Sequence, residues 1–322
     1  MLIDAGRQAD EGEPITQDSG LSTQDFVMLS LIAQVLIVGL MMGALYALMA
    51  IGITFIASIM KMINWSMGEF YMIGGYVQFL LITEWLGPDL WWVAAPLSAL
   101  GVFLLGYLLE PLLIKPMFTS AIERKDDYAI VVTIALLLML RNLAAALGGP
   151  YQRTPGSNLP TVMIGPLPES GARLAAFACA LAAIALFYLL LKKTWLGLAL
   201  RAAAQSRVGA QTAGVDVFRL DQIAFGIGVG LAGFAGALLA PVFMVYPTSG
   251  VVTTVKGFEI IVIGGLGSIP GALIAGIMLG IVESLGAAFI AAPYQNAYGF
   301  LLVVLVLLVR PTGLFGERTR AA

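Results

Sequence analysis

The sequence predicts an all-α, polytopic transmembrane helical bundle, and three observations carry that prediction. Hydrophobic residues make up 60% of the chain against 11% charged, and the mean hydropathy of +0.94 lies far outside the soluble range. The apolar runs reach about 20 residues, the length a helix needs to cross about 30 Å of hydrocarbon, whereas barrel strands alternate in segments of about 10. Polar stretches holding Lys or Arg separate the runs, as cytoplasmic loops do.

Residues 1–25 are polar and acidic, with Asp4, Asp10, Glu11, Glu13, Asp18 and Asp25 against Arg7, and read as a disordered tail. Phe26 to Met60 is apolar almost throughout. At about 52 Å as a helix it is too long for one straight span, so it reads as two short spans or one broken one. Lys61 to Gly75 carries polar residues and glycines into a run ending near Leu86. Trp91 and Trp92 are interfacial anchors for a span ending near Ile114, and Lys115 to Asp127 is a cytoplasmic loop.

Tyr128 to Leu147 crosses outward, the Gly-, Pro- and Ser-rich stretch from Gly148 to Gly171 is an external loop, and Ala172 to Leu191 returns to Lys192 and Lys193. Gly197 to Asp221 is too charged for lipid, where each charge costs roughly 2.5 to 3.5 kcal/mol at mid-depth. With Arg201, Arg207, Asp216, Arg219 and Asp221, it is placed at the cytoplasmic surface. Further spans are read at Ile223–Phe243, Val255–Gly267, Ala272–Leu285 and Ala297–Val309, and Arg310, Arg318 and Arg320 put the C-terminus in the cytoplasm. The expectation is eight to ten crossings: a transmembrane domain over 26–316 and a short cytoplasmic tail over 317–322.

Composition also excludes chemistry. The chain has no histidine, which removes the commonest metal ligand and general base, and no GxxxxGK[ST] phosphate loop. Any nucleotide chemistry therefore belongs to a partner. A net charge of −2 without a clustered basic patch argues against nucleic acid, and the single Cys179 reads as a packing residue.

Shifting the chain by 190 residues aligns Gly43 with Gly233, Glu69 with Glu259, and Ile73-Gly74-Gly75 with Ile263-Gly264-Gly265. This is either an internal repeat, whose inverted halves would place a translocation path at their interface, or chance agreement in a chain with 37 glycines. Small residues every four positions (Gly39, Gly43, Ala47; Gly228, Ala232, Gly236, Ala240; Ala272, Gly276, Gly280, Ser284) mark close-packing seams, within the chain or between subunits.

Glu69, Glu259 and Glu283 lie in or at the ends of apolar runs and must point inward. Glu69 and Glu259 either line a polar pathway or are satisfied by neighbouring backbone amides. Asn64, Trp65, Ser66 and Met67 are a polar-aromatic cluster that contacts a small solute or forms a structural turn. Arg141 and Asn142 are expected to snorkel to the interface.

Four stretches, MINWSMGEFYMIGGYV (Met62–Val77), GLALRAAAQSRVGAQTAGVDVFRLDQIAF (Gly197–Phe225), GGLGSIPGALIAGIMLGIVE (Gly264–Glu283) and RPTGLFG (Arg310–Gly316), resemble in content and order the permease subunits of branched-chain amino acid ABC importers, the H-type more than the M-type. The resemblance runs from about Phe26 to Gly316. It implies a bacterial inner-membrane subunit, paired with a second, M-type permease, with two cytosolic ABC ATPases that bind ATP and Mg and a periplasmic solute-binding protein. No cofactor is implied for this chain.

It also implies that Arg201, Ala202, Gln205, Arg207, Gly214, Asp216 and Arg219 couple to an ATPase, with Gly214 as the turn. Asn64, Trp65, Ser66, Met67, Glu69, Glu259, Gly264 and Gly265 are then the pathway candidates. The chain departs from the family's usual INFAHGE, reading Ile63-Asn64-Trp65-Ser66-Met67-Gly68-Glu69, and the family also serves urea, amides and aromatic acids, so the solute stays open. The competing expectations are a stand-alone secondary transporter or channel using Glu69 and Glu259, and a membrane scaffold.

Overall fold

The computed structural model describes residues 23–119, 122–164 and 167–316. Residues 1–22 and 317–322, which hold most of the acidic tail and the C-terminal tail with Arg318 and Arg320, lie outside the described residues. The described elements are α1 (Thr23–Met60), α2 (Met67–Leu80), α3 (Trp91–Leu113), α4 (Pro116–Thr119), α5 (Lys125–Gly148), a hairpin of β1 (Val162–Ile164) and β2 (Leu167–Glu169), α6 (Gly171–Lys193), α7 (Trp195–Gln205), α8 (Arg207–Thr212), α9 (Val217–Leu239), α10 (Ser249–Gly264), α11 (Ile269–Gly286) and α12 (Gln295–Val309). Six helical stretches are long and apolar enough to cross a membrane. The short α2 and α10 add to these, and Ile269–Val309 divides into α11 and α12. The all-helical bundle holds, with one two-stranded hairpin in the loop between α5 and α6.

Phe26–Met60 is not broken. It lies in one helix of 38 residues, about 57 Å long. No proline or charge interrupts it, and its glycines serve packing: a Cβ on Gly43 would lie 2.7 Å from Ile277 Cα of α11, and one on Gly52 2.4 Å from the Gly228 carbonyl of α9. From Met41 onward the helix is largely buried, while Met28, Leu29 and Leu31 are exposed. The small-residue stripes are thus seams inside the chain: α1 on α11, α1 on α9 and, through Gly236 and Tyr71, α2 on α9.

Two triplets, α1–α2–α3 and α9–α10–α11, repeat the same packing. Helix α1 packs on α11 as α9 packs on α3, while α1 crosses α9 and α2 crosses α10. Gly68 opens α2 as Gly250 opens α10, a shift of 182 (250 − 68), which corrects the 190-residue register read from the sequence. At 190, Glu69 in the first turn of α2 falls on Glu259 in the second half of α10, so the 190-residue matches are chance agreement.

The two short helices start against each other. A Cβ on Gly68 would lie 1.9 Å from the Gly250 carbonyl, and the Gly68 amide donates to Thr254 Oγ1 at 3.1 Å. The end of α2 leads to the face carrying the hairpin loop, where Asn158 donates to Asp89 at 2.9 Å. Helix α10 ends at the opposite face, where Leu314 and Phe315 amides donate to the Ile263 and Gly264 carbonyls at 2.8 and 3.0 Å. Each helix therefore begins within the bundle and leaves toward a different side. The linker 61–66 enters from the face where α10 ends, beside Asp126 and Leu266. The linker 241–248 enters from the face that carries the hairpin loop, where Val245 bridges Arg153.

Candidate functional site

The charged segment folds as two short helices and a third helix's first turn because each break carries a capping side chain. Thr194 accepts from the Gly197 amide at 3.0 Å, Ser206 from Gly209 at 3.1 Å, and Asp216 from Arg219 at 3.2 Å. Gly214 makes the predicted turn with φ +84°. Leu200, Ala203 and Ala210 fasten the segment to the bundle, while Arg201, Gln205, Val208, Gln211, Asp216 and Arg219 are exposed and Ala202 is half-buried.

Arg207 is not presented outward like these. It pairs with both carboxylate oxygens of buried Asp221, and its guanidinium lies 4.0 Å from the Phe118 ring centroid. Helix α8 is thereby tied to α9 and to the α3–α5 connection. Asp216 and Arg219 form an exposed pair at 3.1 Å, of the kind that contributes about 0–1 kcal/mol.

In the polar-aromatic cluster the turn is visible. Asn64 Oδ1 accepts from the Ser66 amide at 2.9 Å and the Ser66 hydroxyl at 2.7 Å, which stops the chain and starts α2 at Met67. Trp65 is partly exposed and lies 4.6 Å from the ring of Phe258, at the mouth of an inner groove that Lys61 and Asp126 also line. Met67 is fully buried.

Glu69 points inward as expected, with Arg141 as its partner: Nε and Nη2 donate to Oε1 at 3.2 and 2.7 Å. The expected snorkelling of Arg141 is therefore corrected; a buried carboxylate draws it into the bundle. Asn142 donates to the Leu138 carbonyl of its own helix. Gly264 and Gly265 sit at a close approach of backbones, where a Cβ on Gly264 would lie 2.5 Å from Gly271 C and one on Gly265 2.4 Å from Gly316 N, the latter at φ +95°.

Beside the α2–α10 crossing, a cavity of about 320 Å³ extends toward the side that carries Gln152 and Val245. Leu45, Met49, Met72, Val245 and Val252 give it an apolar wall, and Ser249, Lys256, Gln295 and Asn296 a polar one. At its floor Lys256 of α10 pairs with Glu283 of α11, both nearly fully buried, and Gln295 donates to Glu283 at 3.5 Å. One turn further along α10, Glu259 is buried and its Oε2 has no hydrogen-bond partner. Lys256 went unremarked in the sequence; a lone lysine inside an apolar run was the signal. Among the described residues no group of three or more His, Cys, Asp or Glu is placed to hold a metal ion.

Comparison with known proteins agrees with this architecture. Residues 35–309 match the family described as branched-chain amino acid transport system, permease component. The chain is 31% identical to the high-affinity branched-chain amino acid transport system permease protein LivH of Escherichia coli (strain K12), over 87% of this chain and 94% of the relative. It is also 31% identical to BraD of Pseudomonas aeruginosa, over 88% and 95%. The LivM protein of the same kind of system in Salmonella typhimurium is 26% identical, over 85% and 68%. No solved structure matches. With multiple apolar helices and a family match across nearly the whole bundle, the chain is a multi-pass membrane protein that belongs to the branched-chain amino acid transport system permease component family.

Proposed function

We propose that the chain is the non-catalytic, H-type permease subunit of a bacterial inner-membrane ABC importer, moving a branched-chain amino acid or a related small polar solute inward. Its partners are a homologous M-type permease, two cytosolic ATPases that bind ATP and Mg, and a periplasmic binding protein. The likeness to both LivH and LivM supports a pair of permeases.

The observation that carries the reading is the α7–α8 segment. It is a capped, charged platform on the basic side of the bundle, with Arg201, Gln205 and Val208 outward and Arg207 locked to Asp221 beneath. A push on α8 passes through that ion pair into α9 and through α7 into α6, so ATPase closure tilts the helices around the α2–α10 crossing. Glu69 and Glu259, Asn64 to Met67 and the inner groove are the pathway elements of this reading, and Gly264 and Gly265 form the pivot at the inner end of α10.

Arg201→Glu with Gln205→Glu tests it in the complete assembly. The expected outcome is continued insertion and ATP hydrolysis with uptake of L-leucine lowered about tenfold or more, as loss of a docking contact at an interface hot spot implies. Unchanged coupled uptake, or ATPase activity from the purified chain alone, overturns the reading. The unpartnered buried oxygen of Glu259 favours one rival, a stand-alone carrier with an intramembrane cation site. Gradient-driven uptake by the chain alone supports that rival.

A further inference from the structure

We propose that Lys256, Glu283 and Glu259 hold the charged head of a zwitterionic α-amino acid at the floor of the outer cavity, with its carboxylate on Lys256 and its ammonium on the two glutamates. The inference rests on the permease reading and goes further by assigning where, and by which charges, this subunit touches the solute.

The charge count points to a missing cation. Lys256 is the charged residue in the cavity's lining, and two buried carboxylates lie behind it: Glu283, reached through its contacts with Lys256 and Gln295, and Glu259, three residues along α10, whose Oε2 faces Gly299 of α12. Tyr46, whose ring lies 5.8 Å from Lys256 Nζ, Tyr71, Gln295 and Asn296 are the neutral polar neighbours. Lys256 engages Glu283, which leaves Glu259 with an oxygen that nothing satisfies. A buried, unsatisfied carboxylate is costly, and inside a membrane protein it marks a functional position.

A zwitterion fits this arrangement better than a single ion. Lys256 leaves Glu283 for the solute carboxylate, and the solute ammonium takes its place on Glu283 and reaches Glu259. One ion pair becomes two, with no net charge brought into the bundle. Ser249, whose buried hydroxyl also lacks a partner, lies on the same cavity wall. The part of the lining that comes from α1 and α2, with Leu45, Met49 and Met72, accepts an aliphatic side chain, and its methionines adapt to branching. At about 320 Å³ the cavity is at the small end of ligand sites.

The test uses the full chain in lipid nanodiscs and saturation-transfer NMR with three probes that share a carbon skeleton: L-leucine, 4-methylpentanoate (carboxylate only) and 3-methylbutylamine (ammonium only). The expected result is that L-leucine binds and each half-charged analogue binds about tenfold more weakly or less. Lys256→Met with Glu283→Met, and Glu259→Gln alone, should each weaken L-leucine by about tenfold. Equal binding of either analogue, no binding of L-leucine, or wild-type affinity in both variants overturns the site. If a variant does not insert, the wild-type probe series decides by itself. ATP-driven uptake by the complete wild-type assembly is measured in parallel. Uptake without charge discrimination removes the site and keeps the permease reading, whereas discrimination without uptake does the reverse.

Discussion

Glu69 and Arg141 show how much one residue pair reveals and conceals. A lone glutamate in an apolar run was legible as inward-facing, because lipid exposure is too costly. Its partner was not, since 72 residues separate the two and nothing in local spacing links them. Glu69 is fully buried and Arg141 is 25% exposed at its side chain, so removing one partner strands a charge. Glu69→Gln should destabilise the chain by about 3–5 kcal/mol, read from thermal unfolding in detergent, and Glu69→Met with Arg141→Met should recover most of that loss. A single variant as stable as wild type would show that water reaches Arg141 freely. The same blindness hid the Lys256–Glu283 pair, which joins α10 to α11.

At the scale of elements, helices were legible wherever apolar runs ended in recognisable stops. Trp91 at the start of α3 and Lys192-Lys193 at the end of α6 each mark a boundary that the structure keeps. The unbroken α1 was not legible: its length suggested a break, and the surfaces that bury its second half come from α9 and α11, far along the chain. The start of α10 was missed by six residues (255 − 249), because Gly250 read as a loop residue when it is the partner of Gly68. That contact is between backbones and cannot yield. Gly68→Ala should therefore cost about 3 kcal/mol or more in thermal stability. Gly101→Ala in α3, where the nearest atom to a Cβ is 4.0 Å away, should be neutral or stabilising by up to about 1 kcal/mol. Equal effects at the two sites would contradict the tight crossing.

For the molecule as a whole, the bundle is a pair of triplets with α5, α6 and α12 added around them. The repeat itself was not legible: the 190-residue matches that suggested it were chance agreement, and the packing of the two triplets shows it at a different register. Seen together, the halves place a cavity and a groove on either side of the α2–α10 crossing, as the proposed inward transport needs.

The turn at Arg310–Gly316 has a consequence in time. Leu314 and Phe315 satisfy the last carbonyls of α10, yet they are made about fifty residues after it, several seconds later at ordinary rates of synthesis. Until then Ile263 and Gly264 have no partner of that kind, so the end of α10 is finished only after about fifty more residues have been made. A chain ending at Thr312 should insert its helices and still exchange the amide hydrogens of 261–268 much faster than the full chain. Equal exchange would mean that α10 closes without its late partner. The late-made turn thus acts as a checkpoint for assembly: a chain that lacks it is marked by an open helix end.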